Sequence, residues 1–412
     1  MRPKLAAKVR APLAALALLL LGTSSPLKAE SISPSTYKKL TEIQELMSNN
    51  QLSDAVQELK ALAQDQEEDS LSNAIVLQTW GYAEMASNRY PQAIDKFRHS
   101  LALNKLPEKA SLNIRYMMAQ LYAGSGEFAE ALTEAEIWYQ ALPEPKPNDH
   151  MFLANITAQL KQYAKAEGYA LQAITQAEEV KESWYQLLLA AQFEQKHYPD
   201  ALKTLKQMLS RWPASKTYWE QLASVHMLLE QETEALAVLQ LAWKQNFLDR
   251  ESSIISLAQL TVSQGLPEPA ARLLAAALQK ELISRNEKHL GMLAGAWEQA
   301  REKPRAVTAY GELAQLADDG APLLKQARLL IELERWQDAQ QSLQQALDKG
   351  LDKADKAWLL LGIAQIQSGQ LETGKATLQK ARAFSSVKSQ ANAWINFASQ
   401  RREYENWKSS KS

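Results

Sequence analysis

Cysteine is absent from all 412 residues. That excludes disulfides, a thiol nucleophile and a lipid-modified N-terminal cysteine. Glycine and proline are scarce, at 14 and 15 residues, while Ala, Leu, Gln, Glu and Lys dominate, which favours helix throughout. Only five histidines occur, His99, His150, His197, His226 and His289, with no H-E-x-x-H and no pair at metal-ligand spacing. No G-x-S-x-G elbow is present. "AGSGEF" at 123–128 joins two helical patterns instead of following a strand, so it does not read as a phosphate loop. "LADDG", Leu316 to Gly320, reads as a helix end with a glycine stop, not a calcium loop. These absences point away from an enzyme, and no cofactor or metal is expected.

Long hydrophobic runs are lacking too. The one apolar stretch near the start, Ala11 to Leu21, follows Arg2, Lys4, Lys8 and Arg10 and precedes Leu27-Lys28-Ala29. This is the order of a cleavable secretory leader, with cleavage after Ala29. Eleven residues extend only about 16 Å as a helix, against a bilayer core of roughly 30 Å. Leu27 is less usual than alanine at its place before the cut, which leaves an uncleaved anchor as the alternative. Residues 1–29 hold five Lys/Arg and no acid, so the remainder carries 41 basic against 47 acidic residues. That mildly acidic balance argues against a nucleic-acid partner. The expectation is an exported, periplasmic protein with no integral span after cleavage.

What is present is a repeat. The stretch "WGYAEMASNRYPQAIDKF", Trp80 to Phe97, returns about ten times along the chain. Ala55, Ala93, Ala131, Ala166, Ala201, Ala235, Ala270, Ala306, Ala339 and Gly374 are equivalent anchors, 33 to 38 residues apart. Large residues stand three before many of them (Tyr90, Phe128, Tyr163, Trp336), and apolar residues four after (Leu59, Phe97, Leu239, Leu343). Offsets of this kind define one apolar helix face. A second stripe lies upstream of each anchor, as in Trp80-Gly81, Leu222-Ala223 and Leu361-Gly362. Each unit is therefore two amphipathic helices, A and B, joined by a short turn such as "SNRY" or "SGEF". A period near 34 with large and small packing positions is the mark of the tetratricopeptide repeat.

The predicted fold is all-α: an α-solenoid, a right-handed superhelix of ten helix pairs with a C-terminal capping helix. The expected organisation is a leader over 1–29, repeats one to three over 30–142, repeats four to ten over 143–385, and a cap with a polar tail over 386–412. Ser33-Pro34 starts the first helix. The acidic run Asp65 to Asp69 reads as a solvated loop, "LPEPKPND" at 142–149 as a stiff connector, and "RREYENWKSSKS" as a solvated end. The Asn155-Ile156-Thr157 sequon lies inside a helix and is read as fortuitous.

In proteins built this way the A helices line the face that ligands occupy. The corresponding positions are Gln78, Tyr82, Met85, Tyr116, Gln120, Met151, Asn155, Gln186 and Phe193 in repeats two to five. Glu220, Ser224, Ile255 and Gln259 follow in repeats six and seven, and Leu359, Ile363 and Ile366 in repeat ten. The Lys and Asn positions of a carboxylate clamp hold Gln78, Tyr116, Met151 and Gln186 instead, so that mode is not supported. An uncharged surface of amides, aromatics and methionine suits an extended peptide. The competing reading is that some of these side chains simply pack between repeats.

Three segments carry a resemblance beyond generic repeats: "YWEQLASVHMLLEQETEALAVLQLAW" (218–243), "LADDGAPLLKQARLLIELERWQDAQQSLQQALDKG" (316–350) and "AWLLLGIAQIQSGQLETGKATLQKA" (357–381). They resemble periplasmic tetratricopeptide proteins encoded beside TonB–ExbB–ExbD energy-transducing systems. The likeness spans roughly residues 180–400. It implies a binding scaffold for a TonB-type complex, or for a TonB-dependent receptor held by an extended segment, and it brings no catalytic residues. The alternative is an envelope-assembly scaffold for outer-membrane proteins, peptidoglycan synthesis or polysaccharide export. The leader gives a direct expectation: the exported chain begins at Glu30 and is recovered in the soluble periplasmic fraction. Intact-mass analysis checks this, and a membrane-bound form that keeps Met1 contradicts it.

Overall fold

The computed structural model describes residues 32–411, so the expected leader lies outside the described residues. Among the described residues there are twenty-one α-helices, arranged as ten A–B pairs and one last helix. The pairs are α1 (Pro34–Ser48) with α2 (Leu52–Gln64), α3 (Leu71–Ala86) with α4 (Tyr90–Ala102), and α5 (Glu108–Ser125) with α6 (Phe128–Gln140). Next come α7 (Pro147–Gln159) with α8 (Tyr163–Gln176), α9 (Glu182–Glu194) with α10 (Tyr198–Arg211), and α11 (Lys216–Leu228) with α12 (Glu232–Lys244). The series closes with α13 (Glu251–Ser263) and α14 (Pro267–Gln279), α15 (Glu287–Gln299) and α16 (Lys303–Leu316), α17 (Ala321–Glu332) and α18 (Trp336–Lys349), α19 (Asp355–Gln367) and α20 (Leu371–Ala381), then α21 (Lys388–Lys411). No described helix is long and apolar enough to cross a membrane. The helices divide into two compact units between Thr204 and Leu205, inside α10.

Every anchor is buried, the alanines fully so. A small residue is needed because the two helices of a pair approach closely there. A Cβ on Gly81 of α3 would lie 2.5 Å from the Phe97 ring of α4. One on Gly374 of α20 would lie 2.9 Å from the Gly362 carbonyl of α19. Around these contacts the cores are aliphatic. Leu40, Ile43 and Leu59 pack together at the N-terminal end, Phe97, Ile114 and Met118 further along the first unit, and Leu239, Leu257 and Leu274 in the second. Each such side chain contributes roughly 1.5–3 kcal/mol only when a neighbouring helix covers it, so stacking carries the stability.

The A-to-B turn repeats with one backbone geometry. Five residues before each anchor the chain is left-handed, with φ between +55° and +89°, at Asn50, Asn88, Gly126, Lys161, Lys196, Glu230, Gly265, Arg301, Glu334 and Gly369. The next N–H reaches back to close the A helix, as in Arg89 N to Glu84 O at 2.9 Å and Gln231 N to His226 O at 2.9 Å. That pattern is the Schellman closure, and it satisfies carbonyls the helix end leaves open. The same residue then starts the B helix, with its own carbonyl accepting from the anchor N–H, as in Ala235 N to Gln231 O at 3.0 Å.

Several local readings change. Ser33 does start α1, its hydroxyl accepting from Thr36 N at 3.0 Å. "LPEPKPND" is a connector only through Lys146, because Pro147 opens α7 and Asp149 accepts from the Lys146 N–H at 2.9 Å. Gly320 is not a helix stop: α16 ends at Leu316, and Gly320 caps the start of α17 with φ −84°. Its small size is needed because a Cβ would lie 2.1 Å from the Ala346 carbonyl oxygen. The polar C-terminal run is helical, continuing α21 to Lys411.

Left-handed backbone costs an ordinary residue roughly 1–2 kcal/mol. Gly265 has no atom within 4 Å of a built Cβ, so Gly265→Ala tests the backbone alone. It is expected to destabilise by roughly 1–2 kcal/mol, whereas Glu230→Gly stabilises by up to about 1 kcal/mol. Urea unfolding of both variants measures this, and shifts of the same sign would refute the turn assignment.

Candidate protein-binding groove

The A-helix positions singled out in the sequence do not form one continuous open face. In α3, Gln78 is buried and hydrogen-bonds the half-buried Tyr82, whose ring meets Phe97 edge-on at 5.1 Å. Burial raises the Tyr82 hydroxyl above its ordinary pKa, and the Gln78 bond opposes that shift. Met85 beside them is half-buried against the same core. In α5, Tyr116 stacks on Trp138 at 4.2 Å and meets Phe152 edge-on at 5.5 Å, while Gln120 hydrogen-bonds its hydroxyl. In α7, Met151 is 5% exposed, so it is a packing residue and not a ligand contact. Asn155 is exposed, but its amide donates to the Met151 carbonyl at 2.7 Å. In α9, Gln186 is exposed and Phe193 packs edge-on against Tyr198 at 6.2 Å.

For Gln78 and Met151 the packing alternative therefore holds, and Tyr116 is partly committed to an aromatic cluster. The same applies at the end of the second unit. Leu359, Ile363 and Ile366 of α19 share a core with Trp394 and Ile395 of α21, so the aliphatic strip of repeat ten is covered by the last helix.

An open surface remains between α11 and α13. A cavity of about 380 Å³ is lined there by Ser224, Met227, Ser252, Ser256, Gln259 and Ser263, with Glu220 and Ser253 at one side. Ser252, Ser256, Gln259 and Ser263 follow one another at successive helical turns of α13, and all four are exposed. Glu220 is the one charged lining residue, and it is 9% exposed. It accepts from Ser253 Oγ at 2.6 Å and pairs with Arg250 at 3.2 Å, so its charge is spent inside the protein. Ile255 is buried beneath this surface. Met227, 41% exposed, supplies the apolar contact.

Three predicted residues, Glu220, Ser224 and Gln259, thus meet at one place. The serines of α13 were not singled out, although their spacing was readable in "ESSIISLAQLTVS". Hydroxyls and an amide can each donate and accept, which matches the alternating groups of a peptide main chain. A second cavity, about 450 Å³, lies beside α1 and α3. Its Ser33 and Ser70 hydroxyls already cap their own helices, and Lys39, Asp65 and Glu67 make it charged.

A model of the tetratricopeptide-repeat family matches residues 188–246 and 324–386. The first segment contains α10, α11 and α12, the second α18, α19 and α20. No curated protein matches the sequence. Among solved structures, the chain is similar to a tetratricopeptide repeat protein from Parabacteroides merdae, at 16% identity and a TM-score of 0.36, covering 64% of this chain and 99% of that one. It is also similar to Naa15/Naa10 bound to HypK-THB, at 14% identity and a TM-score of 0.48, covering 91% and 67%. A third is YrrB, described as a tetratricopeptide protein with an unusual peptide-binding site, at 15% identity and a TM-score of 0.35, covering 44% and 88%. Scores this low carry no functional argument. The repeated helix pairing and the family match over these two segments give each compact unit the fold of a tetratricopeptide-repeat α-solenoid.

The packing of Tyr116 has a measurable consequence. Tyr116→Ala removes a stacked ring and is expected to cost roughly 2–4 kcal/mol, whereas Asn155→Ala stays within about 0.5 kcal/mol. Thermal melts of both variants decide this, and a neutral Tyr116→Ala would mean the ring is free for a ligand.

Proposed function

We propose that this protein is a non-enzymatic periplasmic scaffold that holds an extended segment of a TonB–ExbB–ExbD-type complex or of a TonB-dependent receptor. In that role it assists energy transduction and uptake across the outer membrane. The observation that carries the binding reading is the groove between α11 and α13, whose one charged lining residue is the buried Glu220 and which presents four exposed hydroxyl or amide residues in register on α13. An extended segment needs its main-chain donors and acceptors satisfied, and such a stripe offers partners at regular spacing. Buried Glu220 leaves no exposed charge among the lining residues to select an acidic or basic ligand. The segment that resembles TonB-associated proteins, 218–243, covers α11 and α12 and so supplies one wall of this groove. The compartment rests on the leader-like order of residues 1–29.

Each neutral hydrogen bond contributes about 1 kcal/mol net, so losing two weakens binding roughly thirtyfold. The test is capture of TonB, ExbB, ExbD and receptor from envelope extract by the mature chain, read by immunoblot, against Ser256→Ala/Gln259→Ala. The double variant is expected to lose most of the captured component while its melting temperature holds. Raising salt to about 0.5 M should change capture little, because screening acts on charge and not on neutral contacts. Equal capture by the two proteins would place binding elsewhere. Absence of all four components would remove the TonB reading while leaving the groove open to another partner.

A further inference from the structure

We propose that Glu167, His197 and Asp200 form a site for one divalent cation of the zinc type, at the contact between the fourth and fifth helix pairs. Their ligand atoms lie within 4.8 Å of one another, and His197 Nδ1 is 3.0 Å from Glu167 Oε2. Ligand atoms about 2.0–2.2 Å from a shared tetrahedral ion are themselves about 3.3–3.6 Å apart, between the 3.0 Å His197–Glu167 separation and the 4.8 Å limit of this cluster. One imidazole nitrogen with two carboxylates suits zinc and its neighbours better than magnesium or calcium, which take all-oxygen sets.

Two further features set this cluster apart from an ordinary surface pair. First, Glu167 sits immediately after the anchor Ala166, a place held by Ile94, Leu132, Leu236 and Val307 in other repeats, all buried. Gln340 and Lys375 show that polar residues also occur at this place, but Glu167 is a carboxylate there with its side chain only 13% exposed, which carries a desolvation cost. Second, it is held by a preformed shell. Gln192, 2% exposed, accepts from Thr204 Oγ1 at 2.8 Å and donates to Glu167 Oε1 at 3.2 Å. Gln195 donates to Oε2 at 2.8 Å. Amides orient the carboxylate without neutralising it, which is what an outer shell does for a metal ligand.

His197 stands in the A-to-B turn, its backbone fixed by N–H donation to the Gln192 carbonyl at 2.9 Å. Asp200 follows one helical turn later. Its Oδ1 pairs with Lys203 at 3.0 Å, which leaves Oδ2 for the ion. The His197 and Asp200 side chains are 48% and 50% exposed, so water can reach the remaining coordination positions.

The test is calorimetric titration of the mature chain with Zn²⁺ and, separately, Mg²⁺, with thermal unfolding in parallel. One Zn²⁺ per chain and a raised melting temperature are expected, with no Mg²⁺ binding at the same concentration. Glu167→Gln and His197→Gln should each weaken Zn²⁺ binding at least about tenfold. Glu167→Leu, which restores the apolar repeat position, should fold and bind none, separating loss of the ion from loss of the fold. No Zn²⁺ uptake by the wild type would overturn the proposal. So would uptake unchanged by Glu167→Gln and His197→Gln, or equal binding of Mg²⁺.

Discussion

The contact on which the structure depends is the approach of each B helix to its A helix at the anchor. At ten places the anchor is alanine or glycine and is buried. Any larger residue would push the pair apart and expose both apolar stripes. Because one pair buries little by itself, that change would propagate to the neighbours stacked on it. The left-handed turn residue belongs to the same constraint. It lets the chain reverse within a few residues while the Schellman hydrogen bond closes the A helix, so the B helix starts in the register that brings its anchor inward. The backbone geometry is kept even where Lys161, Glu230 or Arg301 must adopt it.

Once the pairs are fixed, the outer face of each A helix is free to differ, and it does. In the first unit it is drawn inward by Tyr116, Trp138 and Phe152, whose rings bind neighbouring helices together. In the second unit α13 leaves serines and Gln259 open to solvent. The scaffold is common to both, whereas recognition belongs to the few positions the scaffold does not use.

Polar residues also enter the interfaces between helices, and several find partners there. Glu84 accepts from the Trp80 indole at 2.9 Å and pairs with Arg89. Gln340 donates to the Ala364 carbonyl at 3.2 Å and to Ser368 at 2.8 Å. Glu167 differs because its partners are amides and an imidazole, with no guanidinium or ammonium paired to it in the way Arg89 pairs with Glu84.

The sequence by itself determined the helix pairs and their phase. Anchor spacing, large residues three before and apolar residues four after are local signals, and the B helices begin at Leu52, Tyr90, Phe128 and Tyr163 where those signals place them. Helical periodicity says which side of a helix faces inward, since that side is continuous and apolar. It does not say which flanking residues a neighbouring helix covers. Gln78 and Asn155 read alike as amides on A helices, yet one is buried under Tyr82 and the other exposed. Gly320 likewise reads as a stop, until the Ala346 carbonyl across the fold gives it another reason to be glycine. Glu167 and His197 are 30 residues apart, and only the stacking of one repeat on the next makes them neighbours. Local pattern fixed the elements; the sites depend on distances between elements, and those are set by packing.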